Sequence, residues 1–234
     1  MKSSKLKIAL YLNIRILLMI SLQGITFLIL RQSNTTFESS GFYWGTHITI
    51  VNFILWFIMI RWFKTNNGRY FDFFKQFSKD NTKLFVKILI PLVIISMAPN
   101  IILSIVLYQN AQIGTTFLLG DIPLFFMIIN LTIFPLVQGI VELPFYYLFI
   151  MPKIQTLTTN RWIYIGLPVF FLSIQHAFMP FRLDLTYGVY RSLMFLPFAL
   201  FIGLLINKKP SMMAYLVILH ILMNASLFMM YFID

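Results

Sequence analysis

IPLFFMIINLTIFPLVQGIVELPFYYLFIM, residues 122–151, is the stretch that decides the fold. It carries a single ionisable side chain, Glu142, within a continuous apolar run. About 20 mainly apolar residues suffice to cross a bilayer as a helix, so this run predicts a membrane span, bent at Pro135 and Pro144. Working outward, six more segments qualify: about 8–30, 42–63, 84–108, 162–179, 186–206 and 211–233. The runs are continuously apolar and lack the ten-residue alternation of a β-barrel. Helices satisfy their own backbone in lipid. The expectation is therefore an all-α integral membrane protein, a bundle of about seven transmembrane helices without internal repeats.

Composition agrees. Of 234 residues, 59% are hydrophobic, 18% aromatic and only 11% charged, with mean hydropathy +0.84, whereas a soluble domain carries about 25% charged residues. The net charge of +11 comes from 18 Lys and Arg against 7 Asp and Glu. In a soluble chain that excess would suggest nucleic acid. Here the basic residues flank the spans, and no nucleic-acid partner is expected. The chain has no cysteine, which removes disulfides, thiolate catalysis and Cys-ligated zinc. The first apolar run is too long for a signal peptide's core and has no small-residue cleavage site after it.

Lys and Arg alternate between loops. Lys2, Lys5 and Lys7 precede the first span, and Arg31 alone follows it. Arg61, Lys64, Arg69, Lys75, Lys79 and Lys83 cluster after the second span. None falls in 109–121, Lys153 and Arg161 follow, then Arg182 alone, then Lys208 and Lys209. The positive-inside rule places the N-terminus in the cytoplasm and the C-terminus outside. The polar segment KTNNGRYFDFFKQFSKDNTK, 64–83, repeats Phe71, Phe74 and Phe77 every three residues. That spacing predicts a short amphipathic helix on the inner membrane surface, acting as an anchor.

Ionisable side chains at membrane depth are costly and mark candidate sites. Arg15 and Arg191 lie near span ends, with long stems that reach the headgroups; His47 sits beside Phe42, Tyr43 and Trp44 as an interfacial histidine. Glu142, His176 and His220 have no such escape. Counted from Lys153, Arg161 and Lys209 at about 1.5 Å per residue, they fall in one layer near mid-membrane, on three helices. Asn224 shares a helix face with His220, four residues on. A polar network that only ties helices together fits this set. So does acid–base chemistry on water, with Glu142 as base, a histidine as relay and His or Asn as oxyanion donor. Pro144 withdraws a hydrogen bond from the Ile140 carbonyl, bending the helix beside Glu142.

Three motifs carry a resemblance. Glu142-Leu143-Pro144-Phe145-Tyr146-Tyr147 runs on to Met151-Pro152, Phe171 precedes His176 by five residues, and His220-Ile-Leu-Met-Asn224 follows, after Gly203 and a basic turn at Lys208–Lys209. In this order they resemble the CPBP family of intramembrane peptidases (CAAX-processing and bacteriocin-processing enzymes, or Abi family), over about 122–230. The family's EExxxR motif departs here at Leu143 and Tyr147, which stand where a second Glu and an Arg would be. By position the resemblance implies that Glu142 activates water, that His176 is its proton-transfer partner and that His220 and Asn224 bind the oxyanion. It divides the chain into an N-terminal part, 1–121, and a CPBP-like catalytic core, 122–234.

The expected function is an endopeptidase in the cell membrane, acting on a membrane-bound peptide or protein. The alternative is an inactive relative serving as a bacteriocin-immunity or scaffold protein. A proton-coupled transporter would show repeats and paired broken helices. No cofactor is expected. HExxH is missing, although Glu142, His176 and His220 would in principle suit a metal.

Overall fold

The computed structural model describes residues 2–229 and is an all-α bundle; among those residues the only strand-like pairing is an isolated bridge between Phe178 and Phe181. Ten α-helices follow one another: α1 Lys2–Leu30, α2 Phe37–Ser40, α3 Trp44–Thr65, α4 Lys79–Tyr108, α5 Ile113–Leu118, α6 Leu124–Pro144, α7 Met151–Gln155, α8 Arg161–Ile174, α9 Leu185–Lys208 and α10 Met213–Met229. A π-helix, Phe145–Ile150, joins α6 to α7. Six helical stretches among the described residues are long and apolar enough to cross a membrane. The chain is a multi-pass membrane protein. The expected last span, 211–233, ends outside the described residues.

The expected span at 162–179 becomes α8, only 14 residues long. At 1.5 Å per residue that is about 21 Å, short of a core about 30 Å thick. α8 gives way to a 3₁₀ turn, Gln175–Ala177, and irregular chain leads to α9. Its backbone groups need partners at this depth, and side chains supply them. Gln23 of α1 donates to Phe181 O (2.7 Å) and accepts from Phe181 N (2.8 Å). Tyr187 donates to Pro180 O at 2.9 Å. Arg191 donates to Met179 O at 3.0 Å and, at 3.4 Å, to His176 O. Arg191 is therefore buried and does not rise to the headgroups as its stem predicted; the His176 and Met179 carbonyls after α8 hold it.

α6 is central, packed between α3 and α10, while α8 and α4 lie on α9 and α1 lies on α3. Gly139 lets α6 and α10 touch: a Cβ there would collide with Ile221 Cγ1 and lie 3.1 Å from Ile221 N and 3.2 Å from Val217 O. Alanine normally stabilises a helix interior over glycine by about 1 kcal/mol. Here overpacking should reverse the sign, and Gly139→Ala is expected to lose about 1–3 kcal/mol. Gly166→Ala on α8, where a Cβ meets nothing within 4 Å, is the control. Unfolding of both variants in detergent compares them, and equal behaviour would refute the close-packing argument.

The loops sort into two ends. At one, Arg182 pairs with Glu38 at 3.2 Å and Trp44 Nε1 donates to Leu118 O at 2.9 Å. At the other, Tyr215 OH meets Thr82 at 2.9 Å, and Lys153 Nζ lies 4.0 Å from the Trp62 ring centroid. Lys- and Arg-rich loops thus share the second end, as the charge alternation requires. A cysteine at Ala111, in this naturally cysteine-free chain, should be labelled from outside only. Labelling from the cytoplasm only would reverse the orientation.

Within the segment expected to form a short amphipathic helix, residues 70–76 form a 3₁₀ helix. With about three residues per turn, the Phe spacing matches it. Tyr70 and Phe73 are buried, whereas Phe71 and Phe77 stay 45% and 47% exposed. Tyr70 OH donates to the Ile140 carbonyl that Pro144 frees. Burial raises the Tyr70 pKa far above the ordinary phenol value, so it stays a donor. Tyr70→Phe leaves that carbonyl unsatisfied and should cost about 1–3 kcal/mol, visible in thermal unfolding as a loss that Phe71→Leu does not share.

Candidate functional site

Glu142 lies in the last turn of α6 and is almost wholly buried. Three donors reach its carboxylate. Arg15 Nη2 of α1 lies 3.2 Å from Oε1, Gln175 Nε2 donates to the same oxygen at 2.8 Å, and His220 Nε2 of α10 is 3.3 Å from Oε2. A carboxylate offers about four lone-pair sites, so Oε2 keeps one open. The network continues outward. Arg15 Nη1 donates to Asn52 Oδ1 at 2.8 Å, Arg15 Nη2 to Gln138 Oε1 at 3.2 Å, and Asn52 Nδ2 to that same Gln138 oxygen at 2.6 Å. Tyr146 OH holds the Gln175 carbonyl at 2.8 Å.

This corrects the reading of Arg15 as a headgroup-seeking residue. It is 0% exposed. Ile8, Leu12, Arg15, Met19 and Gln23 are buried at helical spacing and form the stripe of α1 that faces the bundle. The Arg15 stem points inward, and a buried cation there requires a counter-charge; Glu142 supplies it. His47 is corrected too. It is buried between α1 and α3, with Nε2 2.8 Å from Thr26 Oγ1. The first 121 residues thus contribute to the site, through Arg15 and Asn52.

The four residues singled out from sequence line one cavity of about 530 Å³. Among them only Glu142 and His220 meet side chain to side chain. His176 lies in the 3₁₀ turn after α8, with Nδ1 2.8 Å from Leu172 O and its ring stacked 3.6 Å from Phe195. A carbonyl only accepts, so Nδ1 donates, and the neutral ring presents a lone pair at Nε2. His220 is the mirror case. Its Nε2 donates to the carboxylate and its buried Nδ1 has no partner. Asn224 Nδ2 donates back to His220 O at 2.8 Å, leaving its second N–H and its carbonyl uncommitted by that bond. Leu143 also lines the cavity, and Tyr147 OH donates to Ala199 O at 2.6 Å.

Chemically, the arrangement offers a carboxylate with one open lone pair, an imidazole acceptor and apolar walls. Among the described residues no three of His, Asp and Glu converge as metal ligands would. Sequence reasoning missed Arg15, Asn52, Gln138, Gln175 and Tyr146. A usable signal existed for the first four, since each is a polar residue inside an apolar segment, where an unpaired polar group is costly. Comparison of the chain with protein-family models, with curated proteins and with solved structures finds no match.

Proposed function

We propose that the chain is an intramembrane endopeptidase of the CPBP type in the cell membrane, cleaving a membrane-bound peptide or protein with water activated by Glu142. The observation that carries this reading is the cavity. It brings Glu142, His176, His220 and Asn224, from three segments of the chain, around one space inside the bundle. Ligand pockets run about 300–1,000 Å³, so a peptide segment has room there.

In this mechanism a water donates to the open lone pair of Glu142 Oε2. Its oxygen attacks the peptide carbonyl carbon as its proton passes to the carboxylate. The carbonyl oxygen becomes an oxyanion that accepts from the free amide N–H of Asn224. His220 assists there only with a proton on Nδ1, because its Nε2–H is spent on Glu142. The C–N bond breaks when the proton taken up by Glu142 reaches the leaving nitrogen, with His176 Nε2 as relay. Arg15 of α1 is the arginine that pairs with the glutamate here, at 3.2 Å from Oε1.

One observation favours the second reading, an inactive relative acting in immunity or as a scaffold. Arg15 and Gln175 both sit on Oε1 and stabilise an ionised, structural carboxylate. Proteoliposomes distinguish the two. Wild-type protein is incubated with a panel of membrane-anchored peptides, and new termini are read by mass spectrometry. Cuts within or beside the anchored segment support the peptidase; an intact panel supports the scaffold.

A further inference from the structure

Arg191 is 3% exposed and lines the same cavity as Glu142. None of the ion pairs among the described residues includes it. Arg15 already balances Glu142, so the Arg191 charge faces the cavity without a counter-charge. Its donors are only partly used. Nη2 has a good bond to Met179 O at 3.0 Å, Nε a long one to His176 O at 3.4 Å, the guanidinium carbon lies 5.3 Å from the Phe195 ring centroid, and Nη1 has only the thioether of Met194 at 3.6 Å, a weak acceptor. A guanidinium has five N–H groups in a planar fork that fits a carboxylate. Capping the end of α8 explains Nη2 and leaves the Nη1 edge unexplained.

The surroundings indicate what arrives with the anion. Besides Arg191 and the polar residues Asn100 and Tyr190, the cavity lining includes apolar Met97 and Ile101 of α4 and Met223 and Leu227 of α10. Met97 and Ile101 are 56% and 43% exposed, so the rest of the bundle covers only part of either side chain. α4 packs on α9, which leaves its other faces to the bilayer. An apolar chain entering from lipid between α4 and α10 would meet Arg191 without crossing water.

We propose that this cavity binds a carboxylate carried on an apolar chain, a long-chain fatty acid, with Arg191 as its counter-ion. The site requires no hydrolysis and is independent of the peptidase reading.

Trp44 is buried and lines the cavity, so it serves as the probe. In a variant with Trp56, Trp62 and Trp162 replaced by Phe, dibromostearic acid should quench Trp44 saturably in neutral detergent. Its methyl ester should bind about tenfold or more weakly, the size of one charge-assisted hydrogen bond. Arg191→Gln should abolish this acid preference, and Arg191→Lys should retain part of it. Glu142→Gln, which leaves Arg15 without its counter-charge in the same cavity, should keep or strengthen the acid preference, which separates this proposal from the catalytic one. Displacement of the probe by an apolar peptide with a free C-terminus, and not by its amide, would name a peptide carboxylate as a second source. Equal quenching by acid and ester in the wild-type site overturns the proposal even if Arg191→Gln fails to fold. An unchanged preference in folded Arg191→Gln overturns it as well.

Discussion

Arg15→Met is expected to cost about 3–5 kcal/mol of stability, the loss typical of removing one member of a buried ion pair. Both side chains of the pair are buried at 0% and 2% exposure, so solvent screening does not soften the effect. The mutation also strips donors from Asn52 and Gln138. Adding Glu142→Gln should restore much of the loss, because an amide at 142 no longer needs a counter-charge while its carbonyl still accepts from Gln175. Unfolding of the two single variants and the double in mixed micelles measures this. The coupling should reach the upper part of the range found for residues in one network, about 0.5–3 kcal/mol. Strict additivity would show that the Arg15 charge is not held by Glu142.

The second large effect is on turnover. Loss of a general base forfeits about 10²- to 10⁴-fold, and this is the drop expected of Glu142→Gln in kcat on any membrane peptide the wild type cleaves. His176→Ala should fall in the same range, because the proposed mechanism uses its Nε2 lone pair as the relay. Asn224→Ala should cost less, since one of its amide hydrogens is already given to His220 O. Initial rates on one peptide in proteoliposomes rank the three. A loss at Asn224 greater than at Glu142 would reverse the assigned roles.

Much of the architecture was legible in the sequence because bilayer-crossing helices announce themselves by length and apolarity. The segment at 84–108, for example, is α4 with its N-terminus extended to Lys79. α8 was misjudged because hydropathy cannot tell a span from a short helix followed by irregular backbone. Only the partners that Gln23, Tyr187 and Arg191 offer to residues 176–181 make that backbone tolerable. The site was half legible. Glu142, His176 and His220 stood out as ionisable groups with no route to water, and they do share a cavity. Arg15 and Arg191 were sent to the membrane surface by a rule about stem length that ignores which way the stem points. In α1 that direction was readable, since Arg15 and Gln23 fall on the same helical stripe as Ile8, Leu12 and Met19. Arg191 was not readable in this way, because the carbonyls it caps come from another element. Pro144, which has no N–H to give, leaves the Ile140 carbonyl open, and that carbonyl receives Tyr70 from the cytoplasm-assigned segment.

The central claim is that Glu142 is the base of a membrane-embedded hydrolase, and its most direct test is a single comparison. Wild type and Glu142→Gln, each shown to be folded by thermal unfolding in the same detergent, are reconstituted side by side with one peptide that the wild type cleaves. The account predicts that new peptide termini appear with the wild type and fall by at least about a hundredfold with Glu142→Gln. Equal cleavage by a folded Glu142→Gln protein would contradict it and leave the buried carboxylate as a structural partner of Arg15.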